Sequence, residues 1–140
     1  LNFKRFCNSK KIDFYIANDF KLMTQINAHG LYISSHNIDL RLTRFKNSKF
    51  KIIGSAHNLR EIKIKEKQGC EEIFISPIFY NPKNKDYLDI VKFNSLCLTT
   101  SKKTIALGGI NQKNIKKLKS TKVIGFAGIS WIKKNGLRVT

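Results

Sequence analysis

Two glycine-bearing segments near the C-terminus have the makings of an anion grip: Ala106-Leu107-Gly108-Gly109-Ile110-Asn111 and Gly125-Phe126-Ala127-Gly128-Ile129-Ser130. Glycine lets backbone N–H groups approach an anion closely, and a following helix N-terminus adds partial positive charge. The same glycines could serve only to make tight turns, but two such ends in succession point to phosphate. Asn18-Asp19 offers a carboxylate that could hold Mg²⁺, which takes one or two carboxylates together with phosphate oxygens and water. It could equally cap a helix, a position that favours Asp and Asn. Ser55-Ala56-His57 supplies a hydroxyl able to donate to phosphate and an imidazole able to act as acid or base. The alternative there is that Ser55 or Asn58 starts a helix and His57 is a polar loop residue. Ser76-Pro77-Ile78-Phe79 is followed by Lys83 and Lys85, cations that could cover a diphosphate from a loop or simply be solvated. His29 precedes a strand and is expected to be structural, and His36 is expected on the side of the other motifs.

The elements that must position these residues are legible as alternation. Short runs rich in Ile, Val, Phe and Tyr predict strands over Phe14–Asn18, Gly30–Ser34, Phe50–Gly54, Glu72–Ser76, Thr104–Leu107 and Val123–Ala127. Their continuous apolar character predicts cover on both faces. Helices are expected over Phe20–Asn27, Leu59–Gln68, Tyr87–Leu98 and Asn111–Leu118. In the second of these, Asn58 would be the N-cap, Leu59, Ile62 and Glu66 would share a face, and Gly69 would end the helix. Strand–helix alternation predicts a parallel α/β fold. Every candidate motif falls just after a strand, on the rim where (β/α)₈ barrels keep their sites. No Gly-x-Gly-x-x-Gly follows the first strand, which argues against a dinucleotide-binding sheet. A complete barrel needs about 200 residues, whereas six units occupy these 140. The expectation is therefore one domain over residues 1–140, a TIM-type barrel of about six βα units with the first two missing. An open sheet is the alternative. Asn81–Asp86 is the most loop-like segment.

The chain has 27 Lys and Arg against 9 Asp and Glu, a net charge of +18. Such a balance can serve nucleic acid or an anionic membrane. Here 22 of the basic residues are Lys, scattered along the chain, and Ile and Asn are also abundant. All three are specified by A/T-rich codons, so compositional drift is favoured over a specific nucleic-acid partner. The 41% hydrophobic share supports a core and excludes a disordered basic tail. No run reaches the roughly 18 apolar residues of a membrane span. Cys7, Cys70 and Cys97 are far apart and form no Cys-x-x-Cys pair, so three free thiols in a reducing cytoplasm are expected.

Taken in order, these segments resemble the thiamine phosphate synthase and thiazole tautomerase superfamily. The likeness rests on Ile53-Gly54-Ser55-Ala56-His57, Ser76-Pro77-Ile78-Phe79, Ala106–Ile110 and Gly125–Ser130, with Asn18-Asp19 and Gly30-Leu31-Tyr32-Ile33 matching two earlier strand ends. It implies a TIM barrel that couples an aminopyrimidine-methyl diphosphate to a thiazole phosphate and releases diphosphate with the help of Mg²⁺. By that resemblance Asp19 would hold Mg²⁺ and Asn18 would touch the pyrimidine. Ser55 would bind the diphosphate side, and Gly108, Gly109, Ile129 and Ser130 would grip the thiazole phosphate. The family's second magnesium carboxylate aligns with Asn37, and Asp39, two residues on, is the candidate replacement. Its Thr-x-Thr-Lys loop reads here as Asn81-Pro82-Lys83-Asn84, making Asn81 a substrate contact and Lys83 or Lys85 the cation. The family's Gln-Leu-Arg-x-Lys strand would lie before Leu1, so the bare chain is expected to be inactive. The tautomerase branch implies proton transfer by a histidine, for which His57 stands at the matching place.

Overall fold

A computed structural model of the 140-residue chain describes residues 2–45, 49–82 and 85–131. Among the described residues, six strands form one all-parallel sheet whose spatial order is the chain order. They are β1 (Tyr15–Ala17), β2 (Gly30–Ile33), β3 (Lys51–Ala56), β4 (Glu72–Ile75), β5 (Lys103–Leu107) and β6 (Gly125–Ala127). All six lie within the expected segments or within two residues of them. Sequential parallel order is the winding of a barrel, but β1 and β6 remain edges and the barrel is not closed.

That openness corrects the expectation of strands covered on both faces. The register aligns Leu31 with Ile52, Ile33 with Gly54, Gly54 with Ile73, Ala56 with Ile75, and Ile75 with Ala106. These residues share the helix-covered face, where Ile33, Ala56, Ile73, Ile75 and Ala106 are completely buried. Burying each isoleucine contributes about 2 kcal/mol. The opposite face carries Tyr32, Phe74 and Ile105, all half-exposed, and only on β3, at Ile53 and Ser55, are its side chains buried among the described residues. It lines the concave side of a sheet that does not close on itself.

Among the described residues, four α-helices alternate with the strands: α1 (Asn2–Ser9), α2 (Phe20–Gln25), α3 (Leu59–Lys67) and α4 (Asp89–Leu98). The first was not expected. Phe3, Phe6 and Cys7 stand at i, i+3 and i+4, one helical face, but of the three only Cys7 is buried. The predicted helix over Asn111–Leu118 is instead a 3₁₀ helix, Ile115–Ser120. Asn111 Oδ1 accepts from the amides of Lys113 and Asn114, and that local turn competes with helical hydrogen bonds. A second 3₁₀ helix, Leu40–Phe45, stands between β2 and β3. In α4 the capping carboxylate is Asp89, whose Oδ1 accepts from Val91 and Lys92, so Tyr87 stays outside the helix. Helix α3 is capped by Asn58 as expected. Its buried face differs, however: Leu59 is 46% exposed, whereas Ile62, Lys65 and Gln68 are completely buried.

Candidate active site

Because all six strands run the same way, their C-terminal ends share one edge of the sheet. On that rim β1 delivers Asn18 and Asp19, and β2 delivers Ser34 to Asp39. From β3 come Ser55 and His57, from β5 Gly108 and Gly109, and from β6 Gly128 to Ser130.

The β1 and β2 ends are tied together. Asn18 has a φ of 56°, a left-handed conformation that Asn tolerates better than most residues. Its Oδ1 accepts from Ser34 N at 3.0 Å and from Asn37 Nδ2 at 3.2 Å, while its Nδ2 donates to Ser34 Oγ at 3.1 Å. Asp19 caps α2, its Oδ1 accepting from Leu22 N at 2.8 Å. Among the described residues, no other partner bonds this exposed carboxylate. Asp39 is held differently. Arg41 forks onto both of its oxygens at 2.8–3.1 Å, and these hydrogen bonds pull the carboxyl down to about 2.

No group of three or more His, Cys, Asp or Glu side chains converges as a metal site among the described residues. Mg²⁺ needs fewer protein ligands than that, since one or two carboxylates suffice when substrate oxygens complete the shell. The second oxygen of Asp19 fits that requirement. Asp39 fits it only when Arg41 is displaced.

At the end of β3, Ser55 is buried and its Oγ accepts a hydrogen bond from Tyr32 OH at 2.9 Å. The ring of Tyr32 meets Phe74 edge-on at 6.3 Å. With its oxygen supplied by the phenol, the Ser55 hydroxyl proton is left to donate elsewhere. His57 follows, and Glu61 secures it twice. Glu61 Oε2 accepts from His57 N at 2.7 Å and lies 3.1 Å from His57 Nδ1. A carboxylate only accepts, so this contact places a proton on Nδ1 and leaves the Nε2 lone pair available when the ring is neutral. The His36 ring stands 6.5 Å from that of His57.

The β5 turn is where glycine is obligatory. Gly108 and Gly109 have φ of 95° and 69°. A Cβ on Gly109 would lie 2.3 Å from Phe79 O and 2.6 Å from Tyr80 O. The loop after β4 is seated against this turn through Ile78 N to Leu107 O and Phe79 N to Gly108 O. Asn114 Nδ2 donates to Gly109 O at 2.8 Å. The β6 end is looser, for among the described residues a Cβ on Gly128 would meet only Trp131 Cβ at 3.8 Å, and Ile129 and Ser130 are exposed. Asn81 is half-buried and Lys85 exposed, while Lys83 lies outside the described residues. His29 sits at the opposite end of the strands, its Nδ1 accepting from Phe14 N at 3.2 Å.

Four participants escaped the sequence reading. Glu61 carried a signal, because Asn58 followed three residues later by Glu is a capping-box pattern. Tyr32, Lys65 and Gln68 carried none that a single sequence displays.

Known proteins agree with this architecture. The family model described as thiamine monophosphate synthase matches residues 1–132. A thiamine-phosphate synthase of Prochlorococcus marinus is 33% identical over 129 residues, covering 90% of this chain and 37% of that protein. One from Clostridium novyi is 34% identical over 114 residues, covering 79% of this chain and 56% of that one. The chain thus spans between about a third and just over half of these two relatives. A solved structure, thiamine phosphate pyrophosphorylase from Pyrococcus furiosus, superposes with a TM-score of 0.73 at 17% identity, over 90% of this chain and 61% of that one. It supports the barrel-type fold. With the family model matched along nearly its whole length, the chain belongs to the thiamine monophosphate synthase family.

Proposed function

We propose that this chain carries the coupling chemistry of thiamine phosphate synthase: an aminopyrimidine-methyl diphosphate loses diphosphate, and a thiazole phosphate nitrogen takes its place. The observation that carries the reading is the rim itself. Polar groups from β1, β2 and β3 and the glycine turns after β5 and β6 share one edge of a sheet wound like the family barrel. The reaction asks for stabilisation of a leaving anion more than for acid–base work, so pre-arranged donors matter most. Ser55, its oxygen engaged by Tyr32, turns its proton toward the diphosphate. Backbone amides at Gly108 and Gly109, with Ile129 and Ser130, receive the thiazole phosphate. Asn18 borders the pyrimidine, Asn81 borders the thiazole, and Lys85 and Lys83 supply cations to the diphosphate. Asp19 would hold Mg²⁺, joined by Asp39 on release of Arg41. When bound, the ion would neutralise charge accumulating on the departing diphosphate. Among the described residues no helix is long and apolar enough to cross a membrane, and a cytoplasmic setting belongs to the same proposal.

The test is direct: incubate the full-length protein, with any residues encoded upstream of Leu1, with both substrates and Mg²⁺ and follow thiamine phosphate and diphosphate. Stoichiometric release of both, lowered at least tenfold in Ser55→Ala, supports the reading. Absence of coupling under conditions where a known synthase turns over refutes it. One observation favours a second reading, a thiazole tautomerase-like isomerase. His57 is oriented by Glu61, and among the described residues no partner engages its Nε2. Thiazole isomerisation that disappears in His57→Ala, without any coupling product, would select it.

A further inference from the structure

The inner face of α3 is not the apolar stripe that a helix packed on a sheet normally presents. Lys65 and Gln68 are both completely buried there. The lysine stem runs across β3 at Gly54, where a Cβ would lie 2.8 Å from Lys65 Cδ. Glycine at that register position leaves the lane open. Beyond it, Lys65 Nζ donates to Asn37 O at 2.7 Å and to Gln68 Oε1 at 2.8 Å. Gln68 Nε2 donates in turn to Asn37 O at 3.0 Å and Asp39 O at 3.2 Å. Among the described residues, no carboxylate lies within ion-pair distance of this ammonium.

Burying a cation without a counter-charge is costly. Burial accordingly pulls the Lys65 pKa below the usual lysine value. A helix that needed only to pack would carry leucine or methionine here. Apart from Gln68 itself, every acceptor the pair uses belongs to the rim segment after β2, 28 to 31 residues away in the chain. From that segment Asn37 Nδ2 reaches Asn18 Oδ1 at the end of β1. Three βα units are thereby linked from the outside of the sheet to its working edge.

We propose that Lys65 and Gln68 are positioning residues, a buried ammonium–amide clamp that fixes the Asn37–Asp39 backbone and, through Asn37, the Asn18 side chain against which the aminopyrimidine half of the substrate docks. The clamp acts on one substrate and not the other, because the thiazole phosphate grip lies across the sheet at the ends of β5 and β6. In naming that substrate the proposal rests on the coupling reading above. The clamp itself does not.

Lys65→Met alone strands Gln68 Oε1, so the informative variant is the double Lys65→Met/Gln68→Leu, which keeps the volume and removes both buried polar groups. It is made in the intact protein and followed by thermal unfolding, amide hydrogen exchange and steady-state kinetics. Its melting temperature should stay within a few degrees of the parent's, since apolar replacement of a buried ion is commonly neutral or stabilising and the carbonyls that lose their donors belong to the half-exposed rim residues Asn37 and Asp39. Amides of residues 34–39 should exchange at least about tenfold faster, with β3 and β4 unchanged. KM for the pyrimidine diphosphate should rise about tenfold or more while KM for the thiazole phosphate stays put, as expected when a positioning group is loosened. Failure of the double variant to fold, exchange in 34–39 within twofold of the parent, or equal rises in both KM values would each overturn the proposal. If the parent does not couple the substrates, the coupling reading fails, while the exchange comparison still decides whether the clamp holds the rim.

Discussion

Glu61 joins fold and site in one side chain, and replacing it tests both. Its carboxylate accepts from His57 N at 2.7 Å and from Asn58 Nδ2 at 2.8 Å, while its own amide donates to Asn58 Oδ1 at 3.0 Å. Alanine removes the carboxylate half of this reciprocal cap, a loss of about 1 kcal/mol. It also removes a charge-assisted bond to a backbone N–H. That bond would contribute about 1.5–3 kcal/mol if sealed from water, but the Glu61 side chain is 25% exposed. Solvent screening brings it nearer to about 1 kcal/mol. The sum, about 2 kcal/mol, corresponds to a fall in melting temperature of about 6 °C for a chain of this size. Glu61→Gln keeps an acceptor for His57 N and should lose about half as much. Thermal unfolding followed by circular dichroism measures both. Nitrogen chemical shifts of the His57 ring should move as well, because the Nδ1 proton loses its carboxylate acceptor. A Glu61→Ala protein that melts within 1 °C of the parent, with unchanged His57 shifts, would refute the reasoning.

Three further outcomes follow from local geometry. Gly109→Ala forces a side chain into a left-handed φ of 69° and within 2.3 Å of Phe79 O, which should cost about 3 kcal/mol or more in urea unfolding. Among the described residues Gly128→Ala meets nothing closer than 3.8 Å, and it should stay within about 0.5 kcal/mol of the parent. Equal losses in the two variants would contradict the contrast. Burial pushes the Cys70 thiol up to about 12 from 9.0. The folded state therefore holds that proton more tightly than the unfolded state does. The associated stability is complete below pH 9 and declines as the pH climbs through about 12. Cys70→Ala should flatten this alkaline decline in pH-dependent unfolding, and the native thiols should resist alkylation at neutral pH because all three are buried. Asp39 moves the other way. Arg41 lowers its carboxyl to about 2, so whatever stability the pair contributes is present above about pH 4 and fades as the pH falls through about 2. Its carbon-detected titration should return to the ordinary carboxylate range in Arg41→Ala.

What the sequence makes legible is the spacing along the chain. All six strands are visible because each is a dense apolar run, and their repetition with intervening helices suffices to propose a sequentially wound parallel sheet. The helix faces are less legible, and α3 shows why. A lysine in an amphipathic helix is expected to point outward, since its charge prefers water. Lys65 points inward because Gly54 clears a lane and a loop 28 residues away supplies the acceptor. Neither condition is a property of the helix's own sequence. The site shows the same division. Residue types at strand ends announce a polar rim, but not which of their atoms are already engaged. Asp19 offers two carboxylate oxygens and α2 takes one of them. Asn18 offers a whole amide, and residues 16 and 19 positions away take most of it. In a parallel sheet each rim loop must first satisfy its neighbours, because a buried polar group without a partner is expensive. What remains over after that satisfaction is the chemistry available to a ligand. Among the described residues of this rim it is the Ser55 proton, the Nε2 of His57, one oxygen of Asp19 and the glycine amides after β5.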